Sequence, residues 1–128
     1  MRGGFLLNGT VYYGNVGDTL KAFTVSGAKL TAATQSQSAT LFSFPGTAPA
    51  VSANGTSAAI LWAHENSNPA VLHAFDAANL QHELYNSNQA AGNRDQFGGG
   101  NKFITPTIAD GKVIVGTTNS VAVFGLLH

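Results

Sequence analysis

One short pattern occurs three times in this chain of 128 residues and constrains its fold more than any other feature. In each copy an Asn-Gly or Asp-Gly pair precedes a run of β-branched or aromatic residues and then a second run that carries a phenylalanine. The pairs are Asn8-Gly9, Asn54-Gly55 and Asp110-Gly111. The phenylalanines Phe23, Phe75 and Phe124 lie 52 and 49 positions apart. A fixed period of about 40 to 50 residues is typical of consecutive blades of a β-propeller.

Each copy predicts a small antiparallel sheet. Asn-Gly and Asp-Gly pairs supply the positive φ angles of a tight hairpin turn, and strand-forming runs flank them on both sides. Pro49 and Pro106 fit the start of a strand, where a missing backbone donor is tolerated, and residues 5–7 are a shortened equivalent in the first copy. Residues 27–30 and 82–86 are predicted to be outer fourth strands, and the third copy has none because the sequence stops.

The stretches between the copies are predicted to be surface connections. Residues 31–43 and 87–101 escape the repeat and are rich in Ser, Gln, Asn and Gly. No stretch keeps an apolar period of 3.6 residues over the length that a helix needs. The sequence therefore predicts a single all-β domain, residues 1–128, of about three propeller blades built from four-stranded antiparallel sheets. The approximate bounds of the blades are 1–43, 44–100 and 101–128.

Charge and apolar run length exclude two classes of partner. Six Lys and Arg balance six Asp and Glu, and charged residues make up 9% of the chain against roughly 25% in ordinary soluble domains. Neither nucleic acid nor an anionic membrane surface is expected as a partner. No apolar run approaches the roughly 20 residues that span a bilayer, and no signal region follows Met1-Arg2. The chain has no cysteine, which excludes disulfides and thiolate chemistry.

The best-marked part of the repeat consists of three successive runs. They are Val71-Leu72-His73-Ala74-Phe75-Asp76-Ala77, His82-Glu83-Leu84-Tyr85-Asn86-Ser87-Asn88-Gln89 and Phe103-Ile104-Thr105-Pro106-Thr107-Ile108-Ala109-Asp110-Gly111-Lys112-Val113. Their order resembles the last blades of secreted bacterial quinoprotein-like propellers, which carry pyrroloquinoline-quinone-like repeats. The resemblance weakens before about Phe44. It implies a closed ring of about six to eight blades, a final blade completed by an N-terminal strand, and an extracellular or periplasmic location.

About three blades form an open arc rather than a ring. Such an arc exposes two blade faces and an unpaired edge at residues 121–126, surfaces that either cost stability or recruit partners. Two explanations stay open: the chain is part of a longer propeller, or copies assemble into a ring, with two copies giving about six blades. We expect a homo-oligomer that uses the blade faces and the open edge strand.

The ionisable residues form no recognised catalytic or metal-binding motif. His64, His73 and His82 are nine positions apart, whereas zinc ligands typically come in pairs two to five residues apart. His73 occupies the variable position of its strand, where the period of two predicts an outward polar side chain. Glu65 and Glu83 lie on different predicted strands with nothing to assign them a paired acid and base role. We expect neither a catalytic residue nor a bound metal.

Two further features have an alternative explanation in turns and connections. Asp76, Asn79 and Asp95 carry the oxygen ligands that Ca²⁺ prefers, but Asp76 is better explained as the cap of the turn after its strand. Gly98-Gly99-Gly100 lacks the Lys-Ser/Thr pair and the following helix of a phosphate-binding loop, so a flexible connection is predicted. The resemblance implies that quinone-dependent dehydrogenases of this family need features spread around a whole ring, including a calcium site and, in many members, adjacent cysteines. This chain has no cysteine and under half a ring, so no quinone cofactor is expected.

Aromatic residues and glycosylation sequons complete the candidate sites. The aromatics that could stack on sugars, although those in strands are expected in the core, are Tyr12, Tyr13, Trp62, Tyr85 and Phe97. Asn8-Gly9-Thr10 and Asn54-Gly55-Thr56 match the sequon, yet each is explained by its hairpin turn. The sequence favours a non-catalytic binding or assembly scaffold with a protein or carbohydrate ligand. The alternatives are a fragment of a quinone-dependent dehydrogenase and a carbohydrate-binding surface protein.

Overall fold

A computed structural model of the chain describes residues 4–7, 9–55 and 57–125, and it is all-β there apart from a 3-10 turn at Ala91–Asn93. The strands in chain order are β1 (Gly4–Leu7), β2 (Thr10–Gly14), β3 (Asp18–Ser26), β4 (Lys29–Leu30), β5 (Ser36–Phe42), β6 (Ala50–Asn54), β7 (Ser57–Glu65), β8 (Val71–Asp76), β9 (Asn79–Asn86), β10 (Thr107–Ala109), β11 (Lys112–Gly116) and β12 (Val121–Phe124). Within the described part of the chain there is no helix with the length and apolarity needed to cross a membrane.

The strands form three antiparallel sheets, one for each copy of the repeat. The first has the order β1-β2-β3-β4, with β5 also paired to β3; the middle sheet is β6-β7-β8-β9 and the third is β10-β11-β12. Gly9, Gly55 and Gly111 have φ angles of 75°, 63° and 69°, which confirms the predicted hairpin turns. None of the three sheets closes on itself among the described residues.

The phenylalanines of the repeat occupy one equivalent position in each sheet. Phe23 in β3 is opposite Val11, Phe75 in β8 is opposite Leu61, and Phe124 in β12 is opposite Val113. In every case the phenylalanine lies on the third strand of the sheet, across from the second strand. Residues with equal offsets from these phenylalanines can therefore be compared directly between the sheets.

The middle sheet packs between the other two and uses both of its faces. Leu61 and Phe75 on one face join a buried cluster with Tyr12, Leu20 and Phe42 of the first sheet. On the opposite face, Leu72 and the half-buried Trp62 join Val113 and Val115 of the third sheet, as a separate cluster. The first strands of successive sheets are also in contact, β1 with β6 and β6 with β10.

The prediction of a surface connection over residues 31–43 is wrong for its second half. Strand β5 pairs along the first half of β3, and β4 supplies only two residues at the far end of β3. Ser38 and Phe42 are buried on the side that faces the middle sheet. The Ser38 hydroxyl accepts a hydrogen bond from the Leu20 backbone N–H at 3.0 Å and donates one to the Thr40 carbonyl at 2.8 Å. Because these bonds satisfy the buried hydroxyl, a polar sequence can form this edge strand, which buries only Ser38 and Phe42.

The three consecutive glycines are fixed by contacts rather than being the flexible connection that the sequence predicts. The Gly98 carbonyl accepts a bond from the Ala70 N–H at 3.1 Å, and the Gly100 N–H donates to the Ser67 carbonyl at 2.8 Å. A Cβ atom on Gly100 would lie only 2.7 Å from that carbonyl oxygen. The glycines therefore permit a close approach of residues 98–100 to the turn between β7 and β8.

Candidate functional site

The two outer sheets each present one face that no other sheet covers among the described residues. We call the face toward the following sheet the forward face and the opposite one the backward face. Tyr12 and Leu20 lie on the forward face of the first sheet, in the cluster shared with the middle sheet. By the alternation of side chains, Val121 and Val123 lie on the forward face of the third sheet, and both are exposed. This face has no following sheet to cover it in the described chain.

One position that is equivalent in the three sheets differs in burial between the third sheet and the other two. Leu20, Leu72 and Val121 each lie three residues before a repeat phenylalanine. Leu20 and Leu72 are completely buried at 0% exposure against the following sheet, whereas Val121 is 65% exposed. The third sheet therefore offers an apolar side chain where the other two make their contact with the next sheet.

The backward face of the first sheet carries an apolar patch beside the polar side chains of Lys21 and Gln37. Val11 and Phe23 form a directly opposed pair on it, and the Tyr13 ring meets the Phe23 ring edge-on, with 6.2 Å between ring centres. Leu41 in β5 is opposite Thr19 on the same face and is 57% exposed. The outer strand β12 (Val121–Phe124) of the third sheet has no further strand paired to it in the described chain, and residue 126, the end of the predicted edge, lies outside the described residues.

His73, Glu65 and Glu83 form an ionisable cluster that the sequence did not predict. The His73 side chain is only 7% exposed, so the expectation that it points outward is wrong. Its Nε2 lies 2.7 Å from Glu65 Oε2, and its Nδ1 lies 2.7 Å from Glu83 Oε1. The Asn86 side-chain amide donates a further bond to Glu83 Oε1 at 3.0 Å. Three adjacent strands, β7, β8 and β9, thus contribute one member each.

The strand order explains why these residues meet. His73 pairs with Ala63 on β7 and with Asn86 on β9, so Glu65 and Glu83 are diagonal neighbours on the same face of the sheet. A bulge between β8 and β9 shifts the register near Glu83. The order β7-β8-β9 and the alternation of side chains could have revealed the Glu65 contact from sequence. The bulge, which places Glu83, could not have been read from it.

The environment of His73 favours its charged form. Burial alone would lower its pKa, but the hydrogen bonds to Glu65 and Glu83 outweigh burial and raise the pKa above its usual value of 6.5. The ring is stacked on Phe75 and meets Phe42 of the first sheet edge-on at 5.5 Å between ring centres. A protonated His73 donates from both nitrogens and has no lone pair for a metal or a substrate proton. When His73 is protonated, the cluster therefore has a structural role: it links β7, β8 and β9 through the two hydrogen bonds of His73.

The other histidines and the calcium candidates lie apart from this cluster. His64 is buried on β7, and His82 is exposed with its Nδ1 at 3.7 Å from Asp76 Oδ2. The Asp76 carboxylate accepts a bond from the Ala78 N–H at 2.9 Å, which confirms its predicted role in the turn. In the described residues no group of three or more His, Asp or Glu side chains is arranged to hold a metal.

Asp95 and Asn79 likewise make local contacts. Asp95 accepts a hydrogen bond from the Tyr85 hydroxyl at 2.8 Å and two from Arg94. Burial and the bond to Asp95 raise the pKa of Tyr85. The Asn79 side chain accepts from the Gln81 N–H at 3.2 Å. These two candidate calcium ligands thus serve the β8–β9 turn and the anchoring of residues 87–101 on β9.

The candidate aromatics also pack or bond internally, as expected for those in strands. Tyr12 is buried and donates to the Ala77 carbonyl at 2.7 Å, and Trp62 Nε1 donates to Ser52 Oγ at 2.9 Å. Phe97 meets Phe124 edge-on at 5.2 Å between ring centres. Of the two sequons, Asn8 and Thr56 lie outside the described residues.

No protein-family model matches the chain, and no curated protein matches it. The function is therefore argued from the faces, the edge and the side chains described above.

Proposed function

We propose that this chain is a non-catalytic assembly module, an open arc of three propeller blades that joins other copies through its two uncovered faces. The observation that carries the proposal is the position shared by Leu20, Leu72 and Val121, which is buried in two sheets and exposed in the third. Fully burying a side chain of this size contributes about 1.5 to 3 kcal/mol. A covered third sheet is therefore more stable than an exposed one.

Three features support a propeller as the architecture. The strands of each sheet pair antiparallel in chain order from the first strand, with β5 as a further partner of β3 in the first sheet. The first strands of neighbouring sheets are in contact, as expected for strands that line a central axis. The sheets also pack face to face through separate apolar clusters on either side of the middle sheet. The resemblance to quinoprotein-like propellers points the same way and favours an extracellular or periplasmic location.

The internal contacts also indicate how copies would meet. Within the chain, a forward face always packs on the backward face of the following sheet. The uncovered forward face around Val121 and Val123 therefore matches the uncovered backward face around Val11 and Phe23 of a second copy. Such a contact is heterologous, and it gives a closed ring when the rotation per copy closes. Two copies would contribute about six blades, within the usual range for propellers.

Light scattering of the purified chain at micromolar concentration tests the proposal. We expect a species of two or more copies for the unaltered chain and a folded monomer for Val121→Asp, because the new carboxylate would have to be desolvated in the contact. Leu84→Asp is the matched control, since Leu84 is also exposed but lies on β9 of the middle sheet. Circular dichroism checks that both variants fold.

A well-folded monomer of the unaltered chain would contradict self-association. It would favour the alternative that further blades of a longer propeller cover these faces. Equal loss of assembly in Val121→Asp and Leu84→Asp would show that the contact uses a different surface.

A further inference from the structure

A polar cleft lies where the first sheet meets the turn between β8 and β9. It has a volume of about 370 Å³. Its walls come from residues 34–37, at the start of β5, and from the beginning of β9. The lining side chains are Thr34, Gln35, Ser36, Gln37, Asn79 and Gln81. Every one of them is neutral and able to form hydrogen bonds.

Hydrogen bonds within the chain fix both walls of this cleft. The Gln35 N–H donates to the Ala22 carbonyl at 2.8 Å, which ties the wall to β3. The Leu80 N–H donates to Ser36 Oγ at 3.1 Å, which ties the β8–β9 turn directly to the first sheet. The backbone of the cleft is thus fixed by the packing of two sheets, and the side chains of Thr34, Gln35, Gln37, Asn79 and Gln81 extend from it into solvent.

The amide groups of the cleft are only partly used by the protein. Gln35 Oε1 accepts from Thr24 Oγ1 at 3.0 Å, and Gln37 Oε1 accepts from Thr19 Oγ1 at 3.5 Å. Asn79 Oδ1 accepts from the Gln81 N–H. Among the described residues, the side-chain nitrogens of the four amides donate to no protein acceptor. Four NH₂ groups are therefore left for acceptors on a ligand.

This chemistry selects the class of ligand. No carboxylate, lysine, arginine or histidine belongs to the lining, so an ion gains no charge-assisted bond there. Sugar hydroxyl groups both donate and accept, as amides and hydroxyls together require. We propose that the cleft is a binding site for a neutral carbohydrate. The site differs from the aromatic residues considered in the sequence, which are engaged in packing or internal hydrogen bonds.

Nuclear magnetic resonance titration with neutral trisaccharides (maltotriose, cellotriose and chitotriose) tests the site on the whole chain. We expect at least one of them to shift the amide resonances of residues 34–37 and 79–81. Affinity should be weak, with Kd of about 1 mM, because each new hydrogen bond replaces one to water. A sulfated trisaccharide is expected to bind less well.

The variants separate this site from adventitious sugar contact. Gln35→Ala combined with Gln81→Ala should weaken binding at least about tenfold, since both remove an NH₂ donor. Gln96→Ala is the matched control, because Gln96 is exposed on the connection between β9 and β10. Binding unchanged in the double variant, shifts outside the cleft, or no shift with any trisaccharide would overturn the inference. Light scattering of the same samples shows whether assembly has changed, so the two proposals fail separately.

Discussion

His73 links the stability of the middle sheet to pH. The imidazole is buried against Phe42 of the first sheet, and the charged groups that face it are the carboxylates of Glu65 and Glu83 on its own sheet. The side chains of β5, which packs against it, include no ionisable group. Protonation of His73 therefore leaves the cluster with one net negative charge, whereas a neutral His73 leaves two carboxylates without a cation between them.

The sign of the pH dependence follows from the raised pKa of His73. A folded-state pKa above the unfolded value of 6.5 means that the native protein binds the proton more tightly, so its stabilisation is complete below that value and is lost as pH rises through the folded pKa. We predict that the free energy of unfolding falls as pH rises above 6.5 and through the folded-state pKa of His73. Urea unfolding at pH values below and above 6.5 measures the free energy of unfolding. Nuclear magnetic resonance of the histidine side chains measures the pKa of His73.

Two variants isolate the contribution of His73 from that of the other histidines. In Glu83→Gln one carboxylate partner is lost, so the pKa of His73 should fall, and the loss of stability above pH 6.5 should be smaller and end at lower pH. In His73→Gln the decline should be largely absent. If the free energy of unfolding of the unaltered chain stays level or increases as pH rises above 6.5, protonated His73 does not stabilise the middle sheet.

At the level of single residues, features that depend on local backbone geometry could be predicted from the sequence. Features that depend on packing between the sheets could not. The turn glycines and the Asp76 cap follow from nearest neighbours along the chain. The burial of His73 does not, because the period-of-two argument leaves one face of the sheet in water. Here both faces of the middle sheet are covered, so the variable position of β8 lies in the interior.

Strand β5 contributes to the core between the first and middle sheets, and substitutions in it can test this packing. Phe42 is 1% exposed and belongs to the cluster between the first and middle sheets, whereas Phe44 is 56% exposed just beyond the strand. We predict that Phe42→Ala lowers the free energy of unfolding by about 3 to 5 kcal/mol, because it leaves a cavity in the core. Phe44→Ala, which removes only a ring contact with Lys102, should cost less than about 1 kcal/mol. Chemical denaturation measures both.

Equal and small effects of the two variants would mean that residues 31–43 form the surface connection indicated by their composition. The sequence signal was misleading because Ser36 and Ser38, which read as loop residues, are both satisfied by backbone groups of neighbouring strands. The hairpins of the three copies were predictable because turn chemistry and strand propensity agree at each one. Strand β5 depends instead on long-range pairing with β3, which local propensity does not report.

For the molecule as a whole, the proposed self-association can use one of two kinds of contact. A heterologous contact joins the forward face around Val121 to the backward face around Leu41, whereas an isologous contact joins two identical faces. Val121→Asp blocks only the forward face and Leu41→Asp only the backward face, and both side chains are exposed, so neither change disturbs the core. The two variants therefore distinguish the contacts when they are mixed.

We predict that each variant is a monomer alone and that an equimolar mixture forms a one-to-one pair. In the pair, the intact forward face of Leu41→Asp packs on the intact backward face of Val121→Asp, and the two blocked faces remain outside, so the pair cannot grow or close. Light scattering of the separate and mixed variants measures this. An isologous contact between forward faces would instead let Leu41→Asp associate alone and leave the mixture without a new species. The mixing result therefore tests whether the packing that joins the three sheets within a chain also joins one chain to the next.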